Sequence, residues 1–265
     1  MEEGARVTLL RVEALSRSFG GVHAVSNLQY SVEEGRIHSI IGPNGAGKTT
    51  VFNLLTGLYL PSTGRIFFEE KDVTGRPSHE LARLGISRTF QNLQICFNMS
   101  AVENVMVGAH LRLDHRMSAA MWRWPALVRG DRVCREEAAE LMRFAGVERY
   151  AGAAADAMPY GGLKRLEIAR ALASRPKLLL LDEPAAGLNP TETHEIDDLI
   201  QKVAASGVTV VLVEHDMKLV MNISEQILVL NYGRKLAEGT ALEVRTNPEV
   251  VAAYLGVSAQ PGLAS

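Results

Sequence analysis

Gly42-Pro43-Asn44-Gly45-Ala46-Gly47-Lys48-Thr49 follows the apolar run Ile37-His38-Ser39-Ile40-Ile41 and opens a stretch, Thr49 to Leu58, with apolar residues at helical spacing. The octet fits G-x-x-x-x-G-K-[ST], and it lies between a strand and a helix as that pattern requires. The glycines let backbone N–H groups turn inward around an anionic phosphate at a helix N-terminus. Lys48 adds positive charge for β- and γ-phosphates, and the Thr49 hydroxyl can ligate Mg²⁺. The candidate nucleotide-binding residues here are Asn44, Gly45, Ala46, Gly47, Lys48, Thr49 and Thr50.

Toward the C-terminus, Leu178 to Leu181 is an apolar strand of the kind buried on both faces of a parallel sheet, and it ends in Asp182-Glu183. Asp182 is placed to hold a Mg²⁺ shell and Glu183 to polarise an attacking water; the plain alternative is a solvated strand end. Glu192 to Ala204 puts Ile196, Leu199, Ile200 and Val203 on one helical face, and Val208 to Val213 gives another strand. Strands alternating with helices predict an α/β fold, a P-loop NTPase with a mainly parallel, doubly wound core.

Ahead of the loop, residues 6 to 37 alternate apolar and polar side chains between turns at Gly20-Gly21 and Glu34-Gly35, which predicts an antiparallel β-layer. Arg65 to Glu69 reads as a strand and His79 to Leu84 as a helix. From Asn92 to Met158 the pattern is mainly helical, with stripes at Ala101 to His110 and Glu136 to Phe144 and an irregular stretch, Arg112 to Arg132, holding Trp122 and Trp124. This is an inserted helical subdomain. A helix follows over Leu163 to Ala173, and the tail reads as a hairpin turning at Tyr232-Gly233 with a final helix near Pro248 to Leu255. The expected division is 6–91 for the N-terminal part of the nucleotide-binding core, 92–160 for the helical subdomain, 161–257 for the C-terminal part of the core, and 258–265 for a flexible tail.

With these segments in order, residues 7 to 256 resemble an ABC-transporter ATPase. Met158 to Leu172, Met-Pro-Tyr-Gly-Gly-Leu-Lys-Arg-Leu-Glu-Ile-Ala-Arg-Ala-Leu, is similar to the family's signature loop and the helix after it, which closes on the γ-phosphate of ATP held by a partner subunit. The resemblance implies a dimer, with Gly161 and Gly162 at the nucleotide. The familiar Leu-Ser-Gly-Gly-Gln is here Met158-Pro159-Tyr160-Gly161-Gly162, so the serine hydroxyl and glutamine amide are absent. Backbone N–H groups, including that of Gly161, and the start of a helix near Leu163 are left to meet the phosphate.

Other positions carry over by the same resemblance. Phe19 sits where an aromatic residue stacks on adenine, with Val25 beside it; the alternative is a core Phe of the β-layer. Gln91, in Thr89-Phe90-Gln91-Asn92, matches the glutamine that touches Mg²⁺ or water. His215, after the strand ending at Val213, matches the switch histidine that contacts the γ-phosphate. Ala186-Gly187-Leu188-Asn189 stands where the family has its D-loop, with Asn189 in place of the more common aspartate. The implied catalytic set is Glu183, His215 and Gln91, and the implied metal ligands are Thr49, Gln91 and Asp182.

Ser18 to Val25, Arg165 to Arg170, Glu183 to Thr193 and Pro248 to Gly256 resemble the ATPases of branched-chain and other hydrophobic amino-acid importers, and the insert Arg112 to Arg132 resembles the longer of the two paired ATPases in such systems. The resemblance implies ATP and Mg²⁺ as cofactors, a second ABC ATPase subunit and integral membrane permease subunits as partners, and a solute-binding protein indirectly. It implies a peripheral position on the cytoplasmic face of the inner or plasma membrane. A non-hydrolysing or soluble ABC-type nucleotide-binding module is the alternative. Soluble ABC factors carry coiled-coil inserts or a duplicated cassette, and this chain shows neither. Trp122 and Trp124 fit a partner contact or simple packing equally.

The bulk composition agrees. Among 265 residues, 47% are hydrophobic and 22% charged, which suits an ordinary globular chain. With 28 basic against 30 acidic residues the net charge is −2, which gives nucleic-acid binding no support. The apolar runs are strand-sized, well short of the ~20 residues that span a bilayer. Met1-Glu2-Glu3-Gly4 lacks the positive start of a secretory signal, and Cys96 and Cys134 have no metal-ligand spacing, so both are expected to be packing residues.

Overall fold

A computed structural model describes residues 7–112 and 124–255. In chain order the strands are β1 (Thr8–Phe19), β2 (Val22–Glu33), β3 (Ile37–Ile41), β4 (Thr63–Phe68), β5 (Lys71–Asp72), β6 (Ile86–Arg88), β7 (Leu178–Asp182), β8 (Thr209–Val213), β9 (Gln226–Asn231) and β10 (Arg234–Gly239). The helices are α1 (Lys48–Leu55), α2 (Ser78–Leu84), α3 (Ala101–Gly108), α4 (Trp124–Phe144), α5 (Tyr160–Leu172), α6 (Pro190–Ala205), α7 (Met217–Ile223), α8 (Ala241–Thr246) and α9 (Pro248–Leu255). The chain forms two compact units, Met1–Ser78 with Thr209–Ser265, and His79–Val208.

The first unit holds the antiparallel layer, in the order β2-β1-β4-β5. Alternation along β1 and β2 sends Leu10, Val12, Leu15, Leu28, Tyr30 and Val32 inward, and Gly20, at φ 57, supplies the left-handed turn between the strands. Beside that layer in sequence, β3 pairs in parallel with both β8 and β9, and β9 pairs antiparallel with β10. Every residue of β3 and β8 is buried, which explains why apolar residues dominate both strands. Ser39 and His38 are the polar residues within β3, and His38 is the titratable one. Its Nε2 accepts the Glu33 N–H at 3.1 Å, and burial lowers its pKa to about 4, so the imidazole is neutral. The β9–β10 turn is Tyr232-Gly233, both at positive φ, as the sequence predicts for a tight hairpin. Ile41, Val220, Ile227, Val229, Val244 and Val250 form one apolar cluster, fed by α7, α8 and α9. The seven-residue helix α7 was not foreseen; Asp216 starts it by accepting the N–H groups of Lys218 and Leu219.

The second unit is mainly helical around the parallel pair β6 and β7. Met142, Leu166 and Ile168 are among its buried side chains. Gly108, the last residue of α3, leaves no room for a side chain, because a Cβ there would collide with the carbonyl oxygen of Arg170 in α5. Two features differ from expectation. α5 begins at Tyr160 rather than Leu163, so Gly161 and Gly162 lie in its first turn. The stretch expected to be irregular, Arg112 to Arg132, is helical from Trp124 onward. Trp122, the Trp124 side chain and the tail 258–265 lie outside the described residues. Cys134 is buried and Cys96 half-buried, both as thiols.

Candidate functional site

In the first unit the loop between β3 and α1 is held open by backbone geometry. Gly42, Gly45 and Gly47 have φ of 151, 80 and 100°, and a Cβ on Gly47 would lie 2.5 Å from the Ala24 carbonyl oxygen. The Gly233 N–H donates to the Ala46 carbonyl at 3.0 Å, and the Ser26 N–H to the Gly233 carbonyl at 2.8 Å, so β2 and the β9–β10 turn brace the loop from behind. Lys48 Nζ donates to the carbonyls of Gly42 and Pro43 at 2.7 and 3.1 Å, which keeps the ammonium group curled over the loop. No side chain caps α1, and its first turn contains no acidic residue. A helix start of this kind presents N–H groups and the positive end of the helix dipole to an anion. Asn44, Gly45 and Thr49 are exposed, Thr50 is half-buried and Ala46 buried. The donor set therefore fits the phosphates of ATP.

Phe19 ends β1 with 40% of its surface exposed. Its ring meets Tyr59 edge-on at 5.2 Å, and the Arg17 guanidinium lies 4.6 Å from its centroid. An exposed ring suits a stacking platform and removes the alternative of a core Phe. Val25 requires a correction: its side chain is fully buried, packed beneath Gly47, and presents no surface to a base. Its role is to support the loop.

His215 follows β8 with its side chain 64% exposed. Its backbone N–H donates to Glu214 Oε2 at 3.1 Å, and its Nδ1 lies 3.9 Å from the same oxygen. Glu214 is buried, so a carboxylate fixed in the core anchors the backbone of His215 while the ring stays exposed. Sequence reasoning passed over Glu214; its signal was a charged residue continuing an apolar strand.

The second unit gathers the remaining candidates at the end of β7. Asp182 is buried and pairs with Arg88 at 2.6 Å, a contact made possible by the parallel register of β6 on β7. Its N–H donates to Thr89 Oγ1 at 3.4 Å. Glu183 has φ 48°, a left-handed conformation unusual for a side chain-bearing residue, and its Oε2 accepts the Gln91 Nε2–H at 3.0 Å. Gln91, Asp182 and Glu183 are thus brought together, with Arg88 as the partner the sequence did not reveal. Among the described residues no cluster of three or more His, Cys, Asp or Glu could hold a metal. Within the second unit the Gln91 amide oxygen and the Asp182 carboxylate, and within the first the Thr49 hydroxyl, are each hard donors of the kind Mg²⁺ takes, with water and phosphate completing its shell.

At the start of α5, Pro159 occupies the cap position without a side-chain hydrogen bond, and no acidic residue lies in the first turn of the helix. A Cβ on Gly161 would lie 2.6 Å from Glu192 Oε1, so the missing side chain admits the first turn of α6. Asn189 is the cap of α6, accepting the N–H groups of Thr191 and Glu192 at 3.0 Å. Its amide thereby has a local duty.

The ABC transporter family profile matches residues 25–186, and a branched-chain amino acid ATP-binding cassette transporter profile matches residues 234–260. The high-affinity branched-chain amino acid transport ATP-binding protein BraF of Pseudomonas aeruginosa is 47% identical over 249 residues, 94% of this chain and 98% of that protein. A nucleotide-free ATP-binding cassette from an ABC transporter superposes with a TM-score of 0.82 at 32% identity, covering 94% of this chain and 99% of the other. A dimeric cassette in a post-hydrolysis state with ADP and phosphate superposes with a TM-score of 0.73 at 26% identity, covering 88% and 99%. No helix among the described residues is long and apolar enough to cross a membrane.

Proposed function

The chain belongs to the ABC transporter family of ATP-binding cassettes, and from that premise we propose that it is the ATP-hydrolysing subunit of an importer for branched-chain or other hydrophobic amino acids. The observation that carries the catalytic part is the Gln91–Glu183 hydrogen bond at the end of β7, 3.0 Å long. It sets a carboxylate beside an amide, the pair needed to take a proton from water and orient it. The amino-acid part is supported by the relative named above and by the C-terminal match at residues 234–260.

In the proposed reaction, the N–H groups of the loop and Lys48 hold the β- and γ-phosphates, and Phe19 stacks on the base. Glu183 accepts the proton of a water that attacks the γ-phosphorus, and the bond to the ADP oxygen breaks in line. His215, its backbone anchored by Glu214, donates toward the γ-phosphate. The first turn of α5 meets the γ-phosphate held by a second ATPase subunit, chiefly through the Gly161 and Gly162 backbone. Thr49, Asp182 and Gln91 would hold Mg²⁺, which neutralises developing charge on the phosphates. The dimer of the related cassette supports a two-subunit arrangement. We place the subunit on the cytoplasmic face of the membrane, attached to integral permease subunits and served indirectly by a solute-binding protein, as the longer of two paired ATPases.

The test is Mg²⁺-dependent ATP hydrolysis against protein concentration, for wild type and Glu183→Gln, with and without a candidate partner ATPase. Turnover that rises with concentration or partner and vanishes in Glu183→Gln supports the motor. Tight ATP binding without turnover in any mixture overturns it and favours a binding module, the outcome the altered loop Met158 to Gly162 would then explain.

A further inference from the structure

Lys164 is 3% exposed and Glu167 is 5% exposed, burial that an ammonium or carboxylate tolerates only with polar partners. Lys164 Nζ donates to the backbone carbonyls of Gln91 and Glu183, each at 3.4 Å, and lies 5.8 Å from the Tyr160 ring centroid. Glu167 accepts the backbone N–H groups of Phe90 and Gln94 at 3.4 and 3.5 Å. Residues three apart share one face of a helix, so a single face of α5 grips the loop 90–94 at both flanks. The same lysine holds the peptide of Glu183, whose left-handed φ of 48° persists only when its surroundings enforce it.

Burial raises the affinity of the Glu167 carboxyl for its proton, while the two N–H groups and the charges of Lys164 and Arg170 oppose that shift. Neither side chain spends these hydrogen bonds on the other; both spend them on the backbone that carries the water-handling residues.

We propose that Lys164 and Glu167 are positioning residues that couple the orientation of α5 to the placement of Gln91 and Glu183. The N-terminus of α5 is one turn away from Lys164, so a phosphate engaging that end and the catalytic carboxylate are joined through a single rigid element. Occupancy of the partner's nucleotide site thereby sets the geometry of this subunit's own water. The inference rests on the proposed roles of Gln91 and Glu183.

The test uses the full chain with its partner ATPase and compares Lys164→Met, Lys164→Arg, Glu167→Gln and Glu183→Gln. Lys164→Met is expected to lower kcat by about 10- to 100-fold, the scale of a catalytic group misplaced by an ångström, while ATP affinity stays within about twofold. Hydrogen exchange of amides 90–94 should accelerate while α1 is unchanged, Lys164→Arg should restore most of the rate, and Glu167→Gln should show a smaller loss with the same exchange signature. A Lys164→Met protein with unchanged kcat and unchanged exchange overturns the proposal. So does a loss of ATP affinity with faster exchange across the whole second unit, since that marks general destabilisation. If Glu183→Gln turns over normally, the catalytic reading itself fails, whatever Lys164 does.

Discussion

The starts of α1 and α5 differ from those of α3, α6 and α8. The latter three carry complete capping boxes, Ser100 with Glu103, Asn189 with Glu192, and Thr240 with Glu243, in which side chain and backbone satisfy each other reciprocally. The former have Gly47 and Pro159 at the cap, with no side-chain hydrogen bond and no acid in the first turn. Every helix leaves its first N–H groups without an intrahelical partner. Where the chain supplies one from its own side chains, the end is finished as structure; where it withholds one, the end is available to an anion. Both of these open ends meet phosphate in the proposed reaction.

Closing the α1 end should have the largest effect. Gly47→Ser offers a capping hydroxyl but places a Cβ against the Ala24 carbonyl at a φ of 100°. ATP affinity by titration calorimetry should fall more than about 100-fold with helical content preserved; normal binding would remove α1 as the phosphate site. At the α5 end, a Cβ on Gly161 would lie 2.6 Å from Glu192 Oε1 and 3.0 Å from its Cγ, so Gly161→Ala should fold with the Glu192 side chain swung out of its capping box. It should bind ATP as a single chain with wild-type affinity and lose about tenfold in turnover when paired with its partner, and a loss of single-chain binding would contradict the division of labour.

Among the finished ends, Asn189→Ala should cost about 1 kcal/mol in urea denaturation and leave ATP binding unchanged. The smallest effect separates the two classes by pH. Hydrogen bonds from Ser100 and Thr240 hold the Glu103 and Glu243 carboxyls below the usual glutamate value of 4.5. A lowered folded value means the contribution is complete above pH 4.5 and fades as pH falls through the folded value. Amide shifts at Ser100 and Thr240 should therefore move together in acid, while those of α1, whose first turn has no carboxylate, stay still; simultaneous movement of all three would erase the distinction.

The fold was legible where one local pattern ruled. Leu178 to Leu181 is apolar throughout and Ile37 to Ile41 mainly so because both faces are covered, and the octet beginning at Gly42 lies between strand and helix as its glycines demand. The start of α5 was misread because Pro159, Gly161 and Gly162 look like helix breakers. Packing against Glu192, Met158 and Pro159 overrides that propensity. Arg88 and Asp182 are 94 residues apart, and their contact depends on a three-residue strand too short to show any period. Lys164 looked like an ordinary helical lysine, since sequence does not reveal that its face of α5 is turned toward backbone carbonyls. Val25, expected beside Phe19 at the base, is instead buried against Gly47, a placement that only the packing of β2 decides.

Gly108 gives the second unit a mechanical property. Side chains between two helices act as cushions, since each can change rotamer and absorb part of a displacement. At Gly108 there is no cushion: the backbone of α3 rests on the carbonyl of Arg170. A push delivered to α3 at that point therefore reaches α5 undamped. Stiffness at this joint would let a small displacement of one helix arrive at the other still large enough to matter.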